Sequence, residues 1–224
     1  MKRIIIICEG QTEQQFCNDV LQFHFNSKNI YIHYPTIEKT GGGIVNWEAL
    51  KFQITTTLKK DPTAIVTTLI DFYGIHAHHK YPFWEQAKQQ ADKSIGMNIM
   101  EQGMKDNLPP ELQNRFIPYI QLYEFEALLF SDITVYQNNF EDNEFLDYSY
   151  LEQTINSNPN PETINDSPET APSKRLARII KGYYSDNDNH KVLYGSLLSH
   201  DIGLIKIRAK CHRFNQWMTK LENI

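Results

Sequence analysis

The amino-acid sequence predicts an α/β fold, a mainly parallel sheet flanked by helices, with a helical extension at the C-terminus. Three observations predict it. The runs IIIIC at residues 4–8 and AIVTTLI at 64–70 are apolar without alternation, so each needs cover on both faces, as strands of a parallel sheet have. Strand-like and helix-like segments alternate four times up to Phe130. From Pro172 onward the pattern is helical throughout, in PSKRLARIIKGYY, HKVLYGSLLSHDIG and LIKIRAKCHRFNQWMTKLENI.

Each element follows from its local chemistry. Arg3 to Cys8 form the first strand. Thr12 is placed to cap the first helix, with Gln15 at the capping-box position, and Phe16, Val20, Leu21 and Phe23 recur at helical spacing. Ile30 to Ile37 alternates as a second strand. Gly41, Gly42 and Gly43 form a flexible loop that is not a phosphate-binding P-loop, because no Gly-Lys-Ser/Thr follows. Trp47, Leu50, Ile54 and Leu58 mark an amphipathic helix. The third strand, Ala64 to Ile70, ends in Asp71. A helical pattern from Phe83 to Met100 precedes the breaker Pro109-Pro110. Phe116 to Leu122 is the fourth strand, and Glu124 to Phe130 reads as a helix. Trp47, Trp84 and Trp217 are expected in the core or at partner contacts.

This division gives an α/β domain over 1–135, a polar excursion over 136–171 and a helical region over 172–224 packed on the same domain. The excursion is rich in Asn, Asp, Glu, Ser and Pro and is expected to hold a mobile loop at NSNPNPETINDSPET. With 41% hydrophobic and 22% charged residues in 224, the chain can bury a core. Its net charge of −5 argues against binding nucleic acid through bulk positive charge, yet leaves room for local basic patches and metal ions. Apolar stretches fall short of the roughly 18 residues of a membrane span, and Lys2-Arg3 with its short apolar run is not a secretion signal. A cytoplasmic protein without a membrane partner is therefore expected. Cys8, Cys17 and Cys211 are scattered, which argues against a disulfide framework or a structural zinc site.

In an open parallel sheet, functional groups gather outside the carboxyl ends of the strands. Three carboxylates fall there: Glu9 after the first strand, Asp71 at the end of the third, and Glu126, with Glu124 beside it, after the fourth. Glu13 lies one turn into the first helix, and Gly10 lets the backbone turn between the two glutamates. Hard oxygen ligands converging in this way suit Mg²⁺ or Mn²⁺. Without a cation they repel one another and hold protons. Taken singly, each also reads as a solvated loop residue, and Glu13 suits the helix dipole; joint placement at three strand ends is what points to metal.

The run CEGQTEQQF resembles the first motif of Toprim domains, notably the nuclease branch in overcoming-lysogenization-defect proteins, and LIDFYG resembles their second, strand-ending Asp-x-Asp motif. Tyr73 stands where that second Asp would be, which leaves the number of metals open. Together CEGQTEQ, DFYG, YEFEALLFSD, PSKRL and HDIGLIKIRAKCHRFNQW resemble the bacterial domain-of-unknown-function family 4276 over nearly the whole chain. That resemblance implies a Toprim-like fold and a metal-dependent phosphodiester hydrolase in anti-phage defence, with a nucleic acid substrate and an AAA- or ABC-type ATPase partner. It implies Glu9 as acid/base or metal-bound carboxylate, with Glu13, Asp71 and Glu126 as metal ligands. The competing reading is a non-catalytic regulatory or sensor subunit of an ATPase complex. A nucleotidyl transferase is a third reading, for which no nucleotide platform is evident. A homo-oligomer is compatible with all three.

Basic residues complete the expectation. Lys174 is assigned to catalysis at the scissile phosphate, and Arg175 to nucleic-acid contact. Lys206, Lys210 and Arg213, with Arg208, His200 and His212 nearby, are expected to share one helical face that tracks a nucleic-acid backbone; an ordinary surface face is the alternative. His76, His78 and His79 lack a Cys or Glu at zinc-ligand spacing and are read as a polar active-site loop after the third strand.

Overall fold

In a computed structural model the fold is described for residues 2–38, 43–164, 167, 169–183 and 189–224. Gly41 and Gly42 of the glycine triplet lie outside the described residues, as do three positions of the NSNPNPETINDSPET segment (165, 166 and 168). The elements run in the order β1 (Lys2–Cys8), α1 (Gln11–Phe16), a π turn (Cys17–Leu21), α2 (Gln22–Ser27), β2 (Ile30–His33), α3 (Trp47–Lys60), β3 (Ile65–Asp71), α4 (Trp84–Lys88), α5 (Lys93–Asp106), α6 (Pro110–Gln113), β4 (Phe116–Ile117), β5 (Ile120–Gln121), a buried 3₁₀ turn (Phe125–Ser131), α7 (Thr134–Asn139), α8 (Tyr148–Ser157), α9 (Pro172–Ile179), α10 (Asn189–Lys210) and α11 (His212–Glu222).

The sheet is parallel in every pairing, in the order β2-β1-β3 with β4 and β5 both on the far side of β3. Register runs Ile4 against Ile65 through Cys8 against Leu69, and Ile70 against Ile120 beyond it. The alternation hidden in IIIIC is now visible. Ile4, Ile6 and Cys8 enter one core with Leu198, Ile207, Phe214 and Trp217 of the C-terminal helices, whereas Ile7 enters a second core with Leu50, Ile54, Met97 and Met100. Both faces are covered, so the strand needs no polar side. Trp217 fixes α11 to its face: the indole N–H donates to Thr67 Oγ1 at 2.8 Å and the ring stacks on Tyr119 at 4.6 Å. The C-terminal helices are thus one of the two layers that bury the sheet.

Four expectations change in detail. The fourth strand splits, because Pro118 has no N–H for the ladder. Thr68 Oγ1 spans the gap, donating to Tyr119 O at 2.8 Å and accepting from Tyr119 N at 3.0 Å. The second strand ends at His33, although Cys8 still bonds to Pro35 O and Ile37 N beyond it. The helical pattern from Phe83 to Met100 divides into α4 and α5, which begins only at Lys93. Glu124 to Phe130 becomes a 3₁₀ turn whose seven residues, Phe125 to Ser131, are all buried. The excursion carries α8, and Glu162 within it is fully buried against α11.

Candidate functional site

Because all pairings are parallel, the carboxyl ends of β1, β3 and β5 lie at one edge. Glu9 is the first residue beyond β1; its N–H donates to Leu69 O at 2.9 Å, and its Oε2 accepts from Asp71 N at 2.8 Å. The side chain of one strand end is thereby tied to the backbone of the next. Gly10 is extended and serves as the N-cap of α1, and Glu13 Oε2 accepts from Gly10 N at 2.8 Å. The predicted cap at Thr12 moves two residues back; Gln15 bonds to Asp19 instead. Glu13 therefore satisfies its own helix start while its carboxylate stays near Glu9.

Asp71 ends β3, and its Oδ1 is buried with no hydrogen-bond partner. Glu126 sits in the turn after β5 and is 1% exposed. Its Oε1 accepts from Lys191 Nζ at 2.7 Å and from Tyr183 Oη at 3.4 Å; its Oε2 is buried without a partner. Glu124, two residues earlier, is committed elsewhere, accepting from Ser173 N at 2.8 Å and Ser173 Oγ at 3.0 Å across the start of α9.

Electrostatics bind these groups into one centre. Burial first, then the charge of Glu13, pushes the Glu9 carboxyl up to about 7. Glu13 is raised by burial and then by Glu126. Asp71 is raised well above the usual carboxylate range by burial and then by Glu9, Glu13 and Glu126. The ammonium of Lys191 is held above the usual lysine range, chiefly by Glu126 and further by Asp71 and Glu13. The Tyr81 hydroxyl is also buried without a partner, and burial together with the charge of Glu9 pushes it up. The structure thus brings Glu9, Glu13, Asp71 and Glu126 into mutual electrostatic contact. Among the described residues, however, no three His, Cys, Asp or Glu side chains stand ready to ligate one ion.

The predicted basic residues are placed differently from one another. Lys174 is exposed on α9. Arg175 is a strut, donating to Thr170 O at 2.7 Å and Tyr150 Oη at 2.9 Å. Lys206 and Lys210 are exposed on α10, Lys206 beside Asp132. Arg213 does not share their face. It is 6% exposed and donates to Glu101 Oε1 at 2.5 Å and Asn98 Oδ1 at 2.6 Å. Helical spacing fails there because α10 ends at Lys210 and α11 starts at His212. The histidine loop packs on itself, with the His76 ring stacked 5.7 Å from those of His78 and His79, and His79 Nδ1 accepting from His76 N at 3.0 Å. Sequence reasoning missed Lys191 and Tyr81.

These observations define an α/β protein whose parallel sheet holds a carboxylate centre, with a lysine paired to one of its acids, outside the carboxyl ends of its strands. The chain belongs to the family of the domain of unknown function DUF4276, whose profile matches residues 8–222. Comparison with curated proteins gives no match. Comparison with solved structures gives none either. Among the described residues no helix is long and apolar enough to cross a membrane.

Proposed function

We propose that the chain is a divalent-metal-dependent nuclease of Toprim-like type, acting on DNA or RNA in anti-phage defence beside a partner ATPase. One observation supports this reading above the others. Carboxylates from three strand ends and one from the first turn of α1 gather at one edge, Glu13 and Glu126 buried and Glu9 and Asp71 half-buried, and two of their oxygens, Asp71 Oδ1 and Glu126 Oε2, are buried without a partner. Buried carboxylate oxygens are ordinarily hydrogen-bonded, and an orphan pair in a repelling cluster is the donor set a hard cation takes.

Glu9, Glu13, Asp71 and Glu126 would hold Mg²⁺ or Mn²⁺, and the ion would supply activation of water and neutralisation of phosphate charge. Glu9 would serve either as one of these ligands or as the acid/base that takes a proton from the nucleophile. Lys174, exposed on α9, would meet the scissile phosphate, and Lys206 and Lys210 the flanking backbone. Arg175 and Arg213 keep structural duties in this scheme.

The non-catalytic reading, a regulatory or sensor subunit of an ATPase complex, draws support from the lack of a preformed three-ligand site among the described residues. One experiment separates the two. Mn²⁺ and Mg²⁺ binding is measured by calorimetry on the wild type, Glu9→Gln and Asp71→Asn, with plasmid and tRNA cleavage in parallel. Wild-type cleavage that disappears with metal binding in both variants is expected. A wild type that binds no metal and cuts neither substrate overturns the nuclease reading in favour of the subunit.

A further inference from the structure

We propose that Lys191 is a built-in counter-ion of the carboxylate centre, which competes with a divalent cation for Glu126 and releases it when the cation binds. This inference rests on the metal-dependent reading above.

Lys191 lies in the first described turn of α10, and among the described residues of that turn no acid offsets it. What holds the ammonium there is Glu126, 2.7 Å away and almost wholly buried. Gly195, one turn on, explains how the helix comes so close. A Cβ at Gly195 would lie 2.8 Å from Thr12 Cγ2, so glycine lets α10 settle on α1 beside Glu13. The lysine then faces a cluster it cannot neutralise. One ammonium stands against Glu9, Glu13, Asp71 and Glu126, and it pairs with Glu126 alone.

Arg213 shows what a permanent pair looks like in this protein. Its side chain is 7% exposed, and its planar fork is divided among Glu101, Asn98 and two backbone carbonyls. The side chain of Lys191, by contrast, is 40% exposed and bonds to one oxygen of Glu126, leaving the other without a partner. A flexible point charge with a route to solvent is easily exchanged, whereas a buried arginine fork is not.

The test is calorimetry with Mn²⁺ at pH 8 on the wild type, Lys191→Gln and Lys191→Arg. Removing a unit charge from beside the ligands should tighten Mn²⁺ binding about tenfold in Lys191→Gln. Lys191→Arg should stay near the wild type. Equal or weaker binding by a folded Lys191→Gln overturns this inference and leaves the metal reading standing; no binding by any of the three overturns both. A second readout does not depend on the variants folding. In the wild type with ¹³C-labelled lysine, Mg²⁺ should move the Lys191 side-chain signal toward that of a solvated lysine, and a signal that stays in place under saturating Mg²⁺ also overturns the inference.

Discussion

Two regions of the molecule withdraw carboxylates from solvent and use them in opposite ways. Around the start of α11, Glu162 accepts from the backbone N–H groups of Arg213 and Phe214 at 2.8 and 3.0 Å, and Glu101 accepts from Ile120 N and from Arg213. Every acid there has donors aimed at it, several from the first turn of a helix, where negative charge is favoured. At the carboxyl edge of the sheet, Glu9, Glu13, Asp71 and Glu126 repel one another, and although Glu9, Glu13 and Glu126 each accept at one oxygen, two buried oxygens have no partner. Burial of charge alone therefore does not mark a site. Burial without enough donors does, because such an arrangement destabilises the fold unless something outside the chain relieves it.

The largest test breaks the region whose acids are satisfied. Arg213→Met leaves Glu101 buried without its cation and should cost about 3–5 kcal/mol in urea unfolding. Adding Glu101→Leu should recover most of that loss, since an apolar pair replaces a buried ionic one well. A loss no greater than that of an exposed pair would show that the region is not held in the way described.

Next in size is the packing that brings α10 to the acidic edge. Gly195→Ala drives a methyl group into Thr12 and should cost roughly 1–3 kcal/mol, with Mn²⁺ binding changed as Lys191 shifts. Thermal unfolding with and without Mn²⁺ measures both effects.

Neutralising the acidic edge should have the opposite sign. Glu9→Gln and Asp71→Asn remove repulsion and should stabilise the metal-free protein by about 0.5–2 kcal/mol, while metal binding and cleavage disappear. A pH dependence accompanies this. Glu9 rises from an ordinary 4.5 to about 7 on folding, so between those values the folded state binds more protons than the unfolded one. Stability from this group is therefore full below about 4.5 and falls as pH rises to about 7. Melting temperatures across pH 4.5–7.5 should show that fall in the wild type, a shallower one in Glu9→Gln, and its reversal by Mn²⁺. The smallest effect is expected on the surface: Lys206→Ala, which removes an exposed partner of Asp132, should change stability by less than about 1 kcal/mol. Its reading is nucleic-acid affinity, which should weaken in a salt-dependent way if α10 tracks a backbone.

Much of this arrangement was legible in the residues. Strands β1 and β3 were readable because an apolar run without alternation has few other uses, and α3 because Trp47, Leu50, Ile54 and Leu58 keep one helical face. Strand ends then placed Glu9, Asp71 and Glu126 together without any knowledge of contacts. The split at Pro118 was not read, since its remedy is a hydroxyl on a neighbouring strand. Arg213 was misplaced because Lys206, Lys210 and Arg213 share a face only on an unbroken helix, and the chain turns at Cys211.

By itself, the sequence determined the fold class, the parallel sheet and the edge where its acids gather, because hydrophobic period and the alternation of strands with helices are local properties that survive tertiary packing. Which acids are satisfied was decided only in three dimensions. Glu124 meets Ser173, Glu162 meets α11, and Glu126 meets Lys191 across long separations in the chain. Hydrogen bonds and ion pairs of a few ångströms depend on where helices land on the sheet, and no spacing along the chain encodes that distance.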